Sequence, residues 1–139
     1  MAESTFLFEI LTPQRQFFSG EIEALTFQAH DGEWTILKDH APMVAVLHPG
    51  VVKIKQNGAW KDAINSEGYM EVGHSGVILF AQTCEWPEEV DVNRAERTRL
   101  LAEEKLRQNQ SLAEYHTSRI MLARAMARLR NSGKNVNLD

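Results

Sequence analysis

One cysteine, Cys84, occurs in 139 residues, so no disulfide can form within the chain, and a lone thiol suits a reducing compartment. No basic neighbour stands beside it to lower its pKa, which makes an inert thiol the better expectation. No basic segment precedes Phe6-Leu7-Phe8, and Glu9 interrupts that run, so no secretory signal is expected there. No apolar stretch approaches the roughly 20 residues of a membrane span, and direct membrane insertion is not expected. The chain has no Walker loop, no Gly-x-Ser-x-Gly and no Gly-x-Gly-x-x-Gly. Its five histidines (His30, His40, His48, His74, His116) have no ligand spacing and no cysteine pair beside them, so no metal site is expected. Trp34, Trp60 and Trp86 fall on separate segments and read as core or interface anchors, not as a stacking platform. No catalytic set emerges, and an enzyme is the poorer hypothesis.

What is present changes character near Cys84. Up to that point the chain reads as short strands and turns. Phe6, Phe8 and Ile10 alternate with Leu7, Glu9 and Leu11 before Pro13; Ser19-Gly20 is read as a turn into Ile22–Phe27; Asp31-Gly32 precedes Trp34–Leu37. Asn57-Gly58, between Val51–Gln56 and Ala59–Ile64, is a tight-hairpin signal, because both turn positions need positive φ. Glu67–Val72 and Val77–Thr83 follow. Val77-Ile78-Leu79-Phe80-Ala81 is apolar throughout, as expected of a strand covered on both faces. Many short strands at close turn spacing indicate a sandwich or flattened barrel. At 15.8 kDa, one such domain (residues 1–86) plus an appendage (87–139) is the natural size.

Residues 91–130 read as two helices. Val92, Ala95, Ala102 and Leu106 recur at three-four spacing, as do Leu112, Tyr115, Leu122, Met126 and Leu129, so the pair can close as an antiparallel hairpin. Each seam has one gap, and both gaps are arginines, Arg99 and Arg119. Leu106 opposite Leu112 puts Arg99 level with Arg119, a layer of like charges expected to keep the hairpin near balance between closed and open. Asp91 is the expected N-cap of the first helix, Ser111 with Glu114 the capping box of the second, and Gln108-Asn109-Gln110 the turn. A detachable helical arm on a compact strand-rich domain suggests a regulator more than a catalyst.

Charge is divided along the chain. The net charge is −4, yet residues 115–134 hold five basic groups and no acidic one. They read either as a solvated helix face or as a docking surface for something acidic. Two constellations stand out: Asp91-Val92-Asn93-Arg94-Ala95 with Glu85 upstream, and Arg124 with Arg128, one helical turn apart. Two guanidinium forks so placed can clamp phosphate or carboxylate, or stand as an exposed solubilising pair.

The ordered segments Phe18-Ser19-Gly20, Asp31-Gly32-Glu33-Trp34-Thr35-Ile36-Leu37-Lys38-Asp39-His40-Ala41-Pro42, His48-Pro49-Gly50-Val51-Val52-Lys53-Ile54, Asp91-x-x-Arg94-Ala95 and Leu122–Leu129 resemble the epsilon subunit of F-type ATP synthases over nearly the whole chain. The resemblance implies a ten-stranded β-sandwich followed by an antiparallel two-helix hairpin. It implies a non-catalytic rotor subunit that couples rotation to a proton or sodium path, with the gamma subunit and the ring of c subunits as partners. When the helices extend, it implies contact with the alpha/beta catalytic head and inhibition of ATP hydrolysis. No nucleic acid and no tightly bound cofactor are implied. ATP is a candidate regulatory ligand for Glu85, Asp91, Arg94, Arg124 and Arg128. Asp31, Glu33, Trp34 and His40 are candidates for the rotor contact, and Arg99 with Arg119 for a switch in the seam. The implied location is peripheral, on the cytoplasmic face of a bacterial plasma membrane rather than a thylakoid. The competing readings are a stand-alone nucleotide-sensing module and a jelly-roll enzyme.

Overall fold

The computed structural model describes residues 4–108 and 111–133. The chain divides into two compact units, Met1–Glu85 and Trp86–Asp139. The first holds ten strands: β1 (Phe6–Leu11), β2 (Gln16–Ile22), β3 (Ala24–Ala29), β4 (Gly32–Ile36), β5 (Met43–Leu47), β6 (Gly50–Gln56), β7 (Ala59–Asn65), β8 (Gly68–Gly73), β9 (Gly76–Ala81) and β10 (Cys84–Glu85). They pair in the order β10-β7-β6-β3-β5-β8-β9-β1-β2, with β4 branching from β3. Neighbours run antiparallel except β1 and β9, which are parallel with Phe8 opposite Val77 and Leu11 opposite Phe80.

Alternation along the strands sends one set of side chains inward. Phe8, Ile10, Ile22, Leu25, Phe27, Leu47, Val52, Ile54, Met70 and Leu79 are almost wholly buried. Each such side chain stabilises the fold by about 1.5–3 kcal/mol relative to an exposed one. The expected hairpin at Asn57-Gly58 joins β6 and β7; Gln56 pairs with Ala59, and both turn residues take positive φ, 54° and 79°. The polar pair Asn65 and Ser66 is buried next to this sheet, but hydrogen bonded: Asn65 Nδ2 donates to the His48 and Ser66 carbonyls, and Ser66 Oγ accepts from the Thr83 amide. Satisfied in this way, the two side chains tie three loops together at little cost.

Two strand expectations are corrected. Ser19-Gly20 is not a turn but the middle of β2, pairing with Glu9 and Phe8 of β1; the chain bends at Glu23 instead. A Cβ at Gly20 would stand 3.1 Å from Gln56 Nε2, the far end of a flexible side chain, and 3.6 Å from the Phe18 ring, an ordinary contact distance, so space there is tight but not closed. β9 is not covered on both faces. Val77, Leu79 and Ala81 are buried, whereas Ile78 and Phe80 lie half-exposed on the outer face.

The second unit begins with a short 3-10 turn over Pro87–Glu89, followed by α1 (Val92–Arg107) and α2 (Leu112–Asn131). Asp91 caps α1, its Oδ1 accepting from the Arg94 amide at 3.0 Å, and Ser111 Oγ caps α2 by accepting from the Glu114 amide at 3.3 Å. α2 ends at Asn131, with Gly133 at φ 75° just beyond. Of the expected turn, Asn109 and Gln110 lie outside the described residues. Along α1, Arg107 pairs with Glu104 at 3.1 Å and Arg99 with Glu96 at 2.7 Å.

Because the strand-rich unit owns a complete apolar core, a chain truncated after Glu89 is expected to fold cooperatively. Thermal unfolding followed by circular dichroism checks this. A truncated chain with no cooperative transition would show that the helices are needed for the sheet.

Candidate functional site

The rotor candidates occupy two places. Asp31, Glu33 and Trp34 sit at the β3–β4 turn, where Gly32 adopts φ 125° and Ala29 pairs across to it. Their polar groups are held rather than free. The Trp34 indole Nε1 donates to Asp31 Oδ1 at 2.8 Å, and Gln28 Nε2 donates to Glu33 Oε2 at 2.9 Å. Trp34 is half-buried, neither projected outward nor taken into the core. Trp60 is exposed and Trp86 half-buried, so of the two expected roles, core or interface anchor, none of the three tryptophans takes the first. The His30 ring lies 5.7 Å from the His48 ring, which brings the β5–β6 loop beside this tip. His40 stands beyond the opposite end of β4. Its Nδ1 lies 2.9 Å from the Ala41 carbonyl oxygen, and it lines a cleft with Lys38, Asp39, Gly73 and His74. The four candidates are thus not one constellation.

The sequence reading missed an apolar row on the outer face of the same unit. Val46 pairs with Tyr69, Tyr69 with Phe80, and Phe80 with Leu11, so one row crosses β5, β8, β9 and β1. Val44 is 69% exposed, Val46 63% and Tyr69 46%; the Tyr69 and Phe80 rings stack with centroids 4.8 Å apart. A contiguous apolar face of this kind on a soluble-facing sheet marks an interaction surface. The signal was available. Met43-Val44-Ala45-Val46-Leu47 is apolar at every position, yet a one-sided strand needs only every second one.

In the helical unit the fold gathers the second constellation at one end. A hairpin whose turn falls between Arg107 and Leu112 runs antiparallel, so α1 begins where α2 ends. At 1.5 Å per residue, Arg94 lies about 20 Å from the turn, and Arg124 and Arg128 about 18 and 24 Å. These three arginines therefore stand at similar height, near the Asp91 cap. Asp91 already commits one carboxylate oxygen to the Arg94 amide, so this carboxylate first of all starts a helix. The Arg124 guanidinium has its pKa pushed below the ordinary arginine value, chiefly by burial and then by the nearby positive charge of Arg128. Partial burial of two neighbouring cations is a local electrostatic cost. Glu85 stands on β10, opposite Ile64, in the other unit.

The seam arginines part company. Arg99 is buried, its guanidinium 2.7 Å from Glu96 Oε1 and 4.0 Å from Glu103 Oε1. Arg119 is exposed, its guanidinium 5.9 Å from the centre of the Tyr115 ring. The expected layer of two seam arginines does not form. The buried residues of α2 include Ser118, Ala125 and Leu129, while Leu112 is 72% exposed. Closely packed helices place small residues on their line of nearest approach, and larger neighbours such as Leu122 and Met126 lean in half-buried from the sides. A seam read from large apolar residues alone is therefore rotated from the true one. Among the described residues no group of three or more His, Cys, Asp or Glu side chains is arranged to hold a metal.

Comparisons place these features among known proteins. Residues 5–87 match the family model "ATP synthase, Delta/Epsilon chain, beta-sandwich domain", and residues 88–133 match "ATP synthase, Delta/Epsilon chain, long alpha-helix domain". An ATP synthase epsilon chain of Ruminiclostridium cellulolyticum is 44% identical over 126 residues, covering 91% of this chain and 94% of that one. A chain from the Euglena gracilis mitochondrial ATP synthase structure, OSCP/F1/c-ring in rotational state 1, shares the fold with TM-score 0.75 at 20% identity, covering 88% of this chain and 78% of that one. A chain from the Tetrahymena thermophila mitochondrial ATP synthase central stalk/c-ring shares it with TM-score 0.67 at 13% identity, over 91% and 96%.

The cap geometry sets an expectation independent of any ligand. Asp91→Ala should lower the stability of the helical unit by about 1 kcal/mol, and Asp91→Asn should restore most of it. Helical circular dichroism under urea separates the two; equal loss from both variants would mean the capping bond is not what Asp91 contributes.

Proposed function

The chain belongs to the ATP synthase delta/epsilon family, and from that premise we propose that it is a non-catalytic central-stalk subunit whose strand-rich unit docks on the rotor. The observation that supports this best is the outer row Leu11–Phe80–Tyr69–Val46 with Val44 beside it. A sheet face that is apolar across four strands is suited to a large, stable contact, and the gamma subunit is the partner this reading assigns to it. The acidic tip at Asp31 and Glu33, stiffened by the Trp34 and Gln28 bonds, is assigned to the ring of c subunits. In this role the unit transmits torque and performs no bond chemistry. The protein works peripherally, at the cytoplasmic face of a bacterial plasma membrane; no described helix is long and apolar enough to cross one.

The helices carry the regulatory half of the proposal. Extended along gamma toward the alpha/beta head, they restrain ATP hydrolysis; folded, they do not. ATP is the ligand proposed to favour the folded form. Arg94, Arg124 and Arg128 would face its phosphates, with Asp91 accepting hydrogen bonds from adenine or ribose. A ligand that needs arginines from both helices binds only the closed hairpin, and so stabilises it by mass action.

Two measurements test these halves separately. Val46→Asp with Tyr69→Asp should leave the circular dichroism spectrum unchanged and abolish co-purification with gamma, because two carboxylates would be desolvated in the contact. Retained binding would move the interface elsewhere. A stand-alone nucleotide sensor would recover no gamma in either form. For the ligand, calorimetry should show ATP binding that Arg124→Ala with Arg128→Ala weakens at least about tenfold, each lost charged hydrogen bond being worth roughly 1.5–3 kcal/mol. Binding unaffected by the double substitution would remove these arginines from the site.

A further inference from the structure

Arg99 is 8% exposed in the middle of α1, on the stripe that also buries Ala95 and Ala102. Its polar partners, Glu96 and Glu103, lie three and four residues away on the same helix. Among the described residues, no hydrogen bond or ion pair links Arg99 to α2. The cluster is also incompletely satisfied, since Arg99 Nε and Glu96 Oε2 are buried without a hydrogen-bond partner. We infer that Arg99, Glu96 and Glu103 form a charged layer, carried whole on α1, that biases the helix pair toward separation.

The argument turns on what changes when the helices part. A buried ion pair that bridges two helices is broken by their separation and so resists it. This cluster bridges nothing. Its pairs are intrahelical and survive opening, while the two orphaned atoms gain water. Closing the hairpin therefore desolvates a guanidinium and part of a carboxylate with no new polar contact in return. The apolar gain that offsets this is small at the same height. From the turn, Arg99 on α1 falls near Ser118 on α2, about 9–12 Å along each helix, and the flanking seam positions Ala95, Ala102 and Ala125 are alanines. Small residues permit close approach but remove little apolar area from water. Leu129, near the far end of α2, is the one large side chain of that helix that is fully buried. The layer thus sits where the seam has least to hold it.

This deepens the proposed regulatory role of the helices and rests on it for meaning. The test uses the isolated full-length chain, so its failure would leave that role standing. Amide hydrogen exchange by NMR reads the opening, because amides of a parted helix fray open far more often than those of a packed one while the helix of 16 or 20 residues stays largely formed. Arg99→Leu and Arg99→Met should each slow exchange of the Ala102 and Ala125 amides by about tenfold, as expected when a buried ion pair gives way to an apolar side chain. Glu96→Gln, which leaves the guanidinium buried beside a neutral group, should speed it by a similar factor. Amides of the strand core serve as the internal reference. Unchanged or faster exchange in both Arg99 variants overturns the inference, as does unchanged exchange in Glu96→Gln.

Discussion

The strand-rich unit depends on one contact, the parallel pairing of β1 with β9. All other strand pairs are antiparallel, and many are joined by short turns. This one joins the β1–β2 pair to the rest of the path by bringing the beginning of the unit to its last long strand. It also requires close backbone approach: a Cβ on Gly76, at φ 140°, would stand 2.5 Å from the Leu7 carbonyl oxygen. With β1 in place, Phe8 and Ile10 enter the core, Phe8 meets Phe18 at 5.8 Å between ring centres, and Leu11 extends the outer row beside Phe80. The core and the proposed docking face are two sides of the same pairing.

The helical unit is organised on the opposite principle. Its polar side chains mostly serve their own helix: Asp91 and Ser111 cap, Glu104 holds Arg107, and Glu96 holds Arg99. Local satisfaction lets each helix keep its polar bonds whether or not its neighbour is present. What joins the two is a narrow seam of small residues. The sheet and a helix pair proposed to part are built from different proportions of long-range and local bonding.

The fold was legible where a local rule has one solution. Asn57-Gly58 admits little but a tight hairpin, and Asp91 and Ser111 each stand one residue before a helix. Reading failed where the deciding partner was remote. Ser19-Gly20 has turn composition, but pairing with Glu9 and Phe8 of the remote partner strand β1 keeps it inside a strand. The apolar runs in β5 and β9 could not say which face met water, because a buried strand and an interface strand present the same residues. The site was legible only as a list. The fold sets Asp91, Arg94, Arg124 and Arg128 toward one end of the hairpin, yet separates His40 from Asp31, Glu33 and Trp34. Arg119 looked equivalent to Arg99 at sequence level, and one hundred degrees of helix rotation from Ser118 sends it to solvent.

An outer row with Val44 and Val46 more than half in water has a meaning for a copy that has not found its place. Such a copy is fully folded yet displays the sort of surface that chaperones and proteases survey. Folding alone therefore does not complete this polypeptide. On the proposed docking, any excess over available places remains exposed to quality control, so the stoichiometry of the assembly can be enforced after synthesis by the same valines and tyrosine proposed to hold the docked copy in place.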